Sequence, residues 1–328
     1  MLISWNVTKK CNLYCQHCYR ESSANEDISK ELSTQEGMLL IDSIKQAGFR
    51  LLIFSGGEPL LRADIYQLIS YAKTKGLIPA MGTNGTLLTK NVCKELLSSG
   101  LAGIAISVDS LDKNYHDKFR GKVGAYQATQ LGIDNSLEAG LRVQINLTLT
   151  ENNQEQFEKM VDHYEKLGVN AIHPFFLVPT GRAKSIPEEA LKSQAYFSMI
   201  KKILEKQKET KIELKPTCAP QFMPMAKELK IEQRFTRGCL AGIAYCSILP
   251  QGEVHICPYL PIKVGNIRET KFDKIWRDSE ILQKLRSYDN YEGSCGKCSE
   301  IAICGGCRAR AFYYSGNYLA EEPWCYRR

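Results

Sequence analysis

The chain has 328 residues, 44% of them hydrophobic, enough for one large or two medium domains with a sizeable core, and its composition fits no disordered class. Its 43 Lys and Arg against 36 Asp and Glu give a net charge of +7 without any long basic run, which argues against a nucleic-acid partner. With no apolar run of membrane-spanning length and no basic, apolar leader, the expected setting is soluble and cytoplasmic, where 13 cysteines point to metal or redox chemistry rather than disulfides.

In chain order, short apolar or β-branched runs predict strands at Leu2–Asn6, Leu51–Ser55, Ile78–Thr83, Gly103–Val108, Val143–Leu149 and Ala171–Phe176. Between them, helical periodicity covers Ser33–Ala47, Ile65–Lys75, Thr89–Ser99, Ala125–Ala139 and Gln154–Leu167. Ser33 and Glu36 form a capping box at the start of the first helix, and Gly48, Gly76, Gly100, Gly140 and Gly168 stop successive helices. Strand-then-helix alternation implies an α/β fold with parallel strands and right-handed crossovers, and places chemistry at the C-terminal strand ends. Six units are fewer than the eight of a closed barrel. The pattern alone leaves a doubly wound open sheet as an alternative.

Immediately after the first strand stands Cys11-Asn12-Leu13-Tyr14-Cys15-Gln16-His17-Cys18. Three thiolates spaced C-x3-C-x2-C suit three corners of a cubane iron–sulfur cluster and leave one iron open to bind a reactant. A structural zinc site would need a fourth Cys or His, and His17 lies inside the triplet rather than at finger spacing. Ser55-Gly56-Gly57-Glu58-Pro59 follows the second strand, where glycines allow close backbone approach to a ligand and Glu58 could accept from an ammonium. Asn84 follows the third strand, Ser107 ends the fourth, and Arg120 lies downstream in His116–Gly121. Taken singly, short polar residues at strand ends more often cap the next helix.

Residues 181 to about 215 change character, with a long polar helix expected over roughly Glu188–Glu209. A domain boundary is placed there, dividing 1–215 from 216–328. The C-terminal part carries Cys239-x6-Cys246, Gly252-x4-Cys257, Cys295-x2-Cys298-x5-Cys304-x2-Cys307 and Cys325. A zinc ribbon separates its cysteine pairs by about 15–20 residues, so the five-residue spacer here favours iron–sulfur ligation. Of the remaining thiols, Cys93 lies in a helical pattern and reads as a small buried hydrophobe. Cys218, between Pro216 and Pro220, reads as structural.

The cysteine triplet and the Gly-Gly-Glu-Pro loop together resemble the radical S-adenosylmethionine (radical SAM) superfamily, and the C-terminal cysteines are similar to its SPASM domain. The resemblance implies a partial (β/α)6 TIM-like barrel followed by a cysteine-rich SPASM/Twitch-type domain. It implies a [4Fe-4S] cluster on Cys11, Cys15 and Cys18 whose open iron chelates S-adenosylmethionine and yields a 5′-deoxyadenosyl radical. Gly56, Gly57 and Glu58 would contact the amino group of the cosubstrate, Asn84 and Ser107 its ribose or carboxylate, and Arg120 its carboxylate. One or two auxiliary [4Fe-4S] clusters would follow, on Cys239, Cys246, Cys257 and Cys307 and on Cys295, Cys298, Cys304 and Cys325. Cys304-Gly305-Gly306-Cys307 is one residue tighter than the usual spacing, a departure that bears on this interleaving.

Lys215–Phe222, Arg237–Gly242 and Cys304–Ala311 further resemble radical SAM enzymes of the alternative haem pathway and of haem d1 assembly. This implies oxidative decarboxylation of two propionates of iron-coproporphyrin III to vinyl groups, with a reduced ferredoxin or flavodoxin as electron donor. Arg182, Lys215, Arg237, Arg308 and Arg310 are candidate partners for a tetra-acidic porphyrin, although each alone reads as a solvated or structural cation. The alternatives are another tetrapyrrole, or a ribosomal peptide modified by a SPASM maturase.

Overall fold

In a computed structural model that describes residues 1–327, ten strands form one sheet in the order β10-β9-β8-β1-β2-β3-β4-β5-β6-β7. The barrel strands are β1 (Leu2–Thr8), β2 (Leu51–Gly56), β3 (Ile78–Thr83), β4 (Gly103–Ser107), β5 (Val143–Leu149) and β6 (Ala171–Phe176), followed by a short β7 (Glu213–Leu214). All pair in parallel with their sequence neighbours. The helices between them are α1 (Thr34–Gln46), α2 (Ile65–Thr74), α3 (Lys90–Ser98), α4 (Lys113–Arg120), α5 (Ala125–Glu138) and α6 (Phe157–Lys166). The expected capping box at Ser33 and Glu36 is present. The glycine stops at 48, 76, 100, 140 and 168 all have positive φ, the conformation a chain needs on leaving a helix.

The sheet continues across the expected 215/216 boundary. A C-terminal strand, β8 (Tyr245–Ile248), returns to pair in parallel with β1, and β9 (Glu253–Cys257) and β10 (Leu260–Asn266) extend it antiparallel. Two further differences from the sequence expectation have local causes. The expected helix over 188–209 starts only at Ser193, giving α7 (Ser193–Lys206). Before it, Glu189 accepts a backbone bond from Glu151 at 2.9 Å, and Ala190 and Leu191 turn into the core. Helix α4 was not expected, although Asp112 caps its start and Gly121 ends it in the left-handed conformation.

Alternation along the strands separates two faces. Leu52, Phe54, Met81, Ile104, Ile106, Val143, Ile145 and Leu147 are buried in the main core with the helix side chains. The opposite face carries Ile53, Ser55, Ala80, Gly82, Ala105, Ser107, Gln144, Asn146, Thr148, His173 and Phe175, all only half-buried. This inner face is largely small or polar. A parallel barrel packed shut would fill it with branched apolar side chains.

Candidate functional site

The cysteine triplet forms the loop that leaves β1, with Cys11 and Cys15 buried and Cys18 half-buried. The three thiols lie within electrostatic reach of one another. Burial pushes the Cys11 thiol up to about 12 and raises that of Cys15 despite the Arg120 guanidinium beside it. The Leu13 backbone bonds to the Cys11 sulfur, an N–H to sulfur contact suited to a cluster ligand.

The Gly-Gly-Glu-Pro loop supports this loop from behind. Gly57 donates its N–H to Thr8 O and Glu58 to Lys10 O, both at 2.8 Å. A Cβ on Gly57 would stand 2.2 Å from Lys10 O, and one on Gly56, whose φ is +140°, 2.4 Å from Thr8 O. The glycines therefore bring backbone against the segment that carries Cys11. Glu58 is fully buried and accepts from Thr83 Oγ1, from Asn84 N at 2.9 Å and from Leu60 N at 3.2 Å. Its carboxylate ties the end of β2 to the end of β3. Burial pushes its pKa up to about 6 against the pull of these donors.

Asn84 is buried at the end of β3, donates to Asn12 Oδ1 at 2.8 Å, and places Nδ2 3.9 Å from the Cys11 sulfur. Ser107 is half-buried on the inner face and pairs with Asn146. Arg120 donates to Asp109 at 2.6 Å and lies 3.9 Å from the Cys15 sulfur. Burial opposes ionisation of Asp109, but the Arg120 guanidinium and the Thr148 N–H, which donates to Asp109 Oδ1 at 3.0 Å, hold its carboxyl below the usual range. His17 stacks on Phe119 at 4.1 Å, and burial pushes its imidazole down to about 3, so it stays neutral. Asp109 is a residue of this site that the sequence patterns do not single out. Its role comes from the α4 turn that carries Arg120 back over the strand end.

Arg182 is also committed to the cysteine loop. It donates to Cys15 O at 2.8 Å and Ser22 O at 3.0 Å and lies 4.0 Å over the Tyr14 ring. Arg237 bonds Cys239 O and Tyr288 and reaches Ala302 O, Arg308 bonds Tyr318 O and Ala320 O, and Arg310 pairs with Glu322 at 2.8 Å. All three are buried. Their positions match the structural reading of these arginines rather than a porphyrin contact. Lys215 differs. It lies beside His173 in the continued β6–β7 register, with its ammonium 4.4 Å over the Phe235 ring, and burial lowers its pKa against the field of Glu213. His173 in turn contacts Glu213 at 3.0 Å.

In the C-terminal part, Cys295, Cys298, Cys304 and Cys325 line one cavity with Gln221 and Glu322. The Cys295 sulfur receives the Glu322 N–H at 3.3 Å and lies 3.6 Å from Arg308 Nη2. Four thiols about one space, with donors aimed at sulfur, fit an iron–sulfur cluster. No group of three or more His, Cys, Asp or Glu among the described residues is arranged to hold a single metal ion. The second expected set departs at one position. Cys239, Cys257 and Cys307 lie within mutual electrostatic reach, whereas Cys246 lies on the outer face of β8 beside Arg286.

The profile of the radical SAM superfamily matches residues 5–164, and that of the SPASM iron-sulfur cluster-binding domain matches residues 239–299. The chain is 40% identical to a protein named AdoMet-dependent heme synthase from Oleidesulfovibrio alaskensis, over 99% of this chain and 86% of that one. It is also 40% identical to a protein of the same name from Methanosarcina barkeri, over 100% of this chain and 96% of that one. Among solved structures, SuiB of Streptococcus suis bound to S-adenosylmethionine superposes with a TM-score of 0.77 at 18% identity, covering 99% of this chain and 77% of that one, a likeness of fold.

Proposed function

The chain belongs to the radical SAM enzymes that carry a SPASM domain, and on that premise we propose that it oxidatively decarboxylates two propionates of iron-coproporphyrin III to vinyl groups, giving haem b. The observation that carries this reading is the 40% identity, over nearly the full chain, to proteins named AdoMet-dependent heme synthase. When bound, the cosubstrate and the cluster on Cys11, Cys15 and Cys18 would supply a 5′-deoxyadenosyl radical.

The protein's own residues then have three tasks. Gly57, Glu58 and Asn84 hold the cysteine loop against the ends of β2 and β3, so the strand ends and the thiols form one rigid unit. The small, half-buried inner face leaves room above them for cosubstrate and substrate. Lys215, a half-buried ammonium on that face, suits a propionate carboxylate, because a partly desolvated cation gains from an anion that replaces its lost water. The cysteine loop reaches the surface at Tyr14, beside exposed Lys118 and Lys122, where an acidic one-electron carrier such as reduced ferredoxin or flavodoxin would dock.

Anaerobic incubation of the reconstituted protein with dithionite, S-adenosylmethionine and iron-coproporphyrin III tests the reading. The expected product is a porphyrin lighter by two carboxyl groups. Cleavage of S-adenosylmethionine alongside an unchanged porphyrin overturns the assignment of substrate.

A further inference from the structure

Cys218 lies in the segment that follows β7. Thr217 N–H bonds Pro174 O at 2.8 Å and Phe176 N–H bonds Thr217 O at 2.9 Å, so this segment prolongs the sheet edge beside β6. Cys218 itself has φ = +60°, the left-handed region that a side chain with a Cβ rarely adopts. Such a conformation persists only where surrounding contacts enforce it. Here the enforcing contact is Arg310, which donates to Cys218 O at 2.7 Å while anchored on Glu322 and on the Tyr196 hydroxyl. Arg310 stands in the helix Arg308–Ser315, which begins directly after Cys307. One guanidinium thus ties the backbone of Cys218 to the turn that carries Cys307.

The thiols converge as the backbones do. Cys218 lies within electrostatic reach of Cys307, Cys257 and Cys239, and all four are in the same contiguous core. Cys239 is brought in by its backbone, which donates to Cys304 O at 2.9 Å. Cys246 has a different environment. In the parallel register Ile3 pairs with Cys246 and Ser4 with Ser247, and in the antiparallel one Ser247 pairs with His255. Continued by two residues, that register sets Cys257 opposite Tyr245, so Cys257 shares the inner face with Tyr245 and Ser4. Cys246 points outward with Ile3, and no rotamer carries a side chain through a sheet.

We propose that Cys218, and not Cys246, joins Cys239, Cys257 and Cys307 as the fourth thiolate of a second auxiliary iron–sulfur site, and that Cys246 is a buried apolar residue. The assignment rests on membership of the family and is independent of the tetrapyrrole reading. It gives the barrel a direct hold on the C-terminal cluster, because one ligand comes from the edge of the barrel sheet and three from beyond it.

The test compares three variants of the full-length protein after anaerobic reconstitution, by iron and acid-labile sulfide per chain and by electron paramagnetic resonance of the reduced state. Cys246→Ala is expected to match the wild type in both. Cys218→Ala is expected to lose about four irons per chain together with one auxiliary signal. Cys218→Asp, which supplies a carboxylate ligand, is expected to regain the iron with altered g values, a recovery that a mere folding defect would not give. Loss of that iron in Cys246→Ala, or wild-type iron and spectrum in Cys218→Ala, overturns the proposal.

Discussion

Arg120 and Asp109 form a buried ion pair, Nε to Oδ2 at 2.6 Å, and the same guanidinium lies 3.9 Å from the Cys15 sulfur. Removing one partner of such a pair leaves an uncompensated buried charge. Asp109→Asn preserves the shape and is expected to destabilise the protein by about 3–5 kcal/mol. Denaturant unfolding of the reconstituted protein measures this, and a change below about 1 kcal/mol would contradict the buried pairing. Iron retention at the N-terminal site should fall in parallel, because Arg120 loses the anchor that holds it beside Cys15.

Gly57→Ala tests the backbone packing under the cysteine loop. The added methyl would meet Lys10 O at 2.2 Å and Lys9 O at 2.6 Å, both main-chain atoms that cannot yield by a rotamer change. The loop must shift, and 5′-deoxyadenosine formation is expected to fall about a hundredfold, as for a small misplacement of reacting groups. High-performance chromatography of the nucleoside product reads this directly. Undiminished cleavage would mean that the loop tolerates displacement.

Glu58 predicts a pH dependence. Burial raises its pKa from 4.5 to about 6, so the folded state holds the proton more tightly than the unfolded chain. The stabilisation is fully present below pH 4.5 and is lost as pH rises through about 6, a change of about 2 kcal/mol. In Glu58→Gln this component should vanish. Unfolding free energies of the two proteins should therefore differ in slope between pH 5 and 7 and run parallel above it.

Two cysteine replacements separate chemistry from packing. Cys15→Ala should remove about four irons and abolish 5′-deoxyadenosine formation. Cys93, fully buried in α3 with its sulfur 3.6 Å from Ser136 Oγ, should tolerate Ala with both quantities unchanged and a loss of about 1 kcal/mol in stability.

Lys215→Met keeps an unbranched side chain and removes the ammonium that lies 4.4 Å over the Phe235 ring. Under the proposed function, affinity for iron-coproporphyrin III should fall roughly 10- to 100-fold, the value of a charged hydrogen bond. Cleavage of S-adenosylmethionine without porphyrin should continue. Absorption titration with the porphyrin gives the first quantity and nucleoside analysis the second.

The sequence alone determined what is local. Strand and helix periods, the Ser33–Glu36 capping box and the glycine stops are set within a few residues, and these local signals recur in the structure. The cysteine triplet is equally local, because its spacing within one loop is fixed by the chain itself. Helix α4 was legible in principle from Asp112 and Gly121 but is too short and polar to show an apolar period.

The tertiary structure decided what depends on pairing between distant segments. That β8 returns to the side of β1 is a long-range event with no sequence signature, and it determines which face every C-terminal side chain occupies. A spacing of cysteines along the chain cannot tell inner from outer, since one step along a strand reverses the direction of the side chain. Cys246 and Cys257 therefore look equivalent as letters and lie on opposite faces as atoms. The same holds for the cations: Arg182, Arg237, Arg308 and Arg310 were indistinguishable until folding surrounded each with carbonyls or a carboxylate. Lys215 instead shares the inner face with His173, its ammonium over the Phe235 ring, where burial lowers its pKa against the field of Glu213.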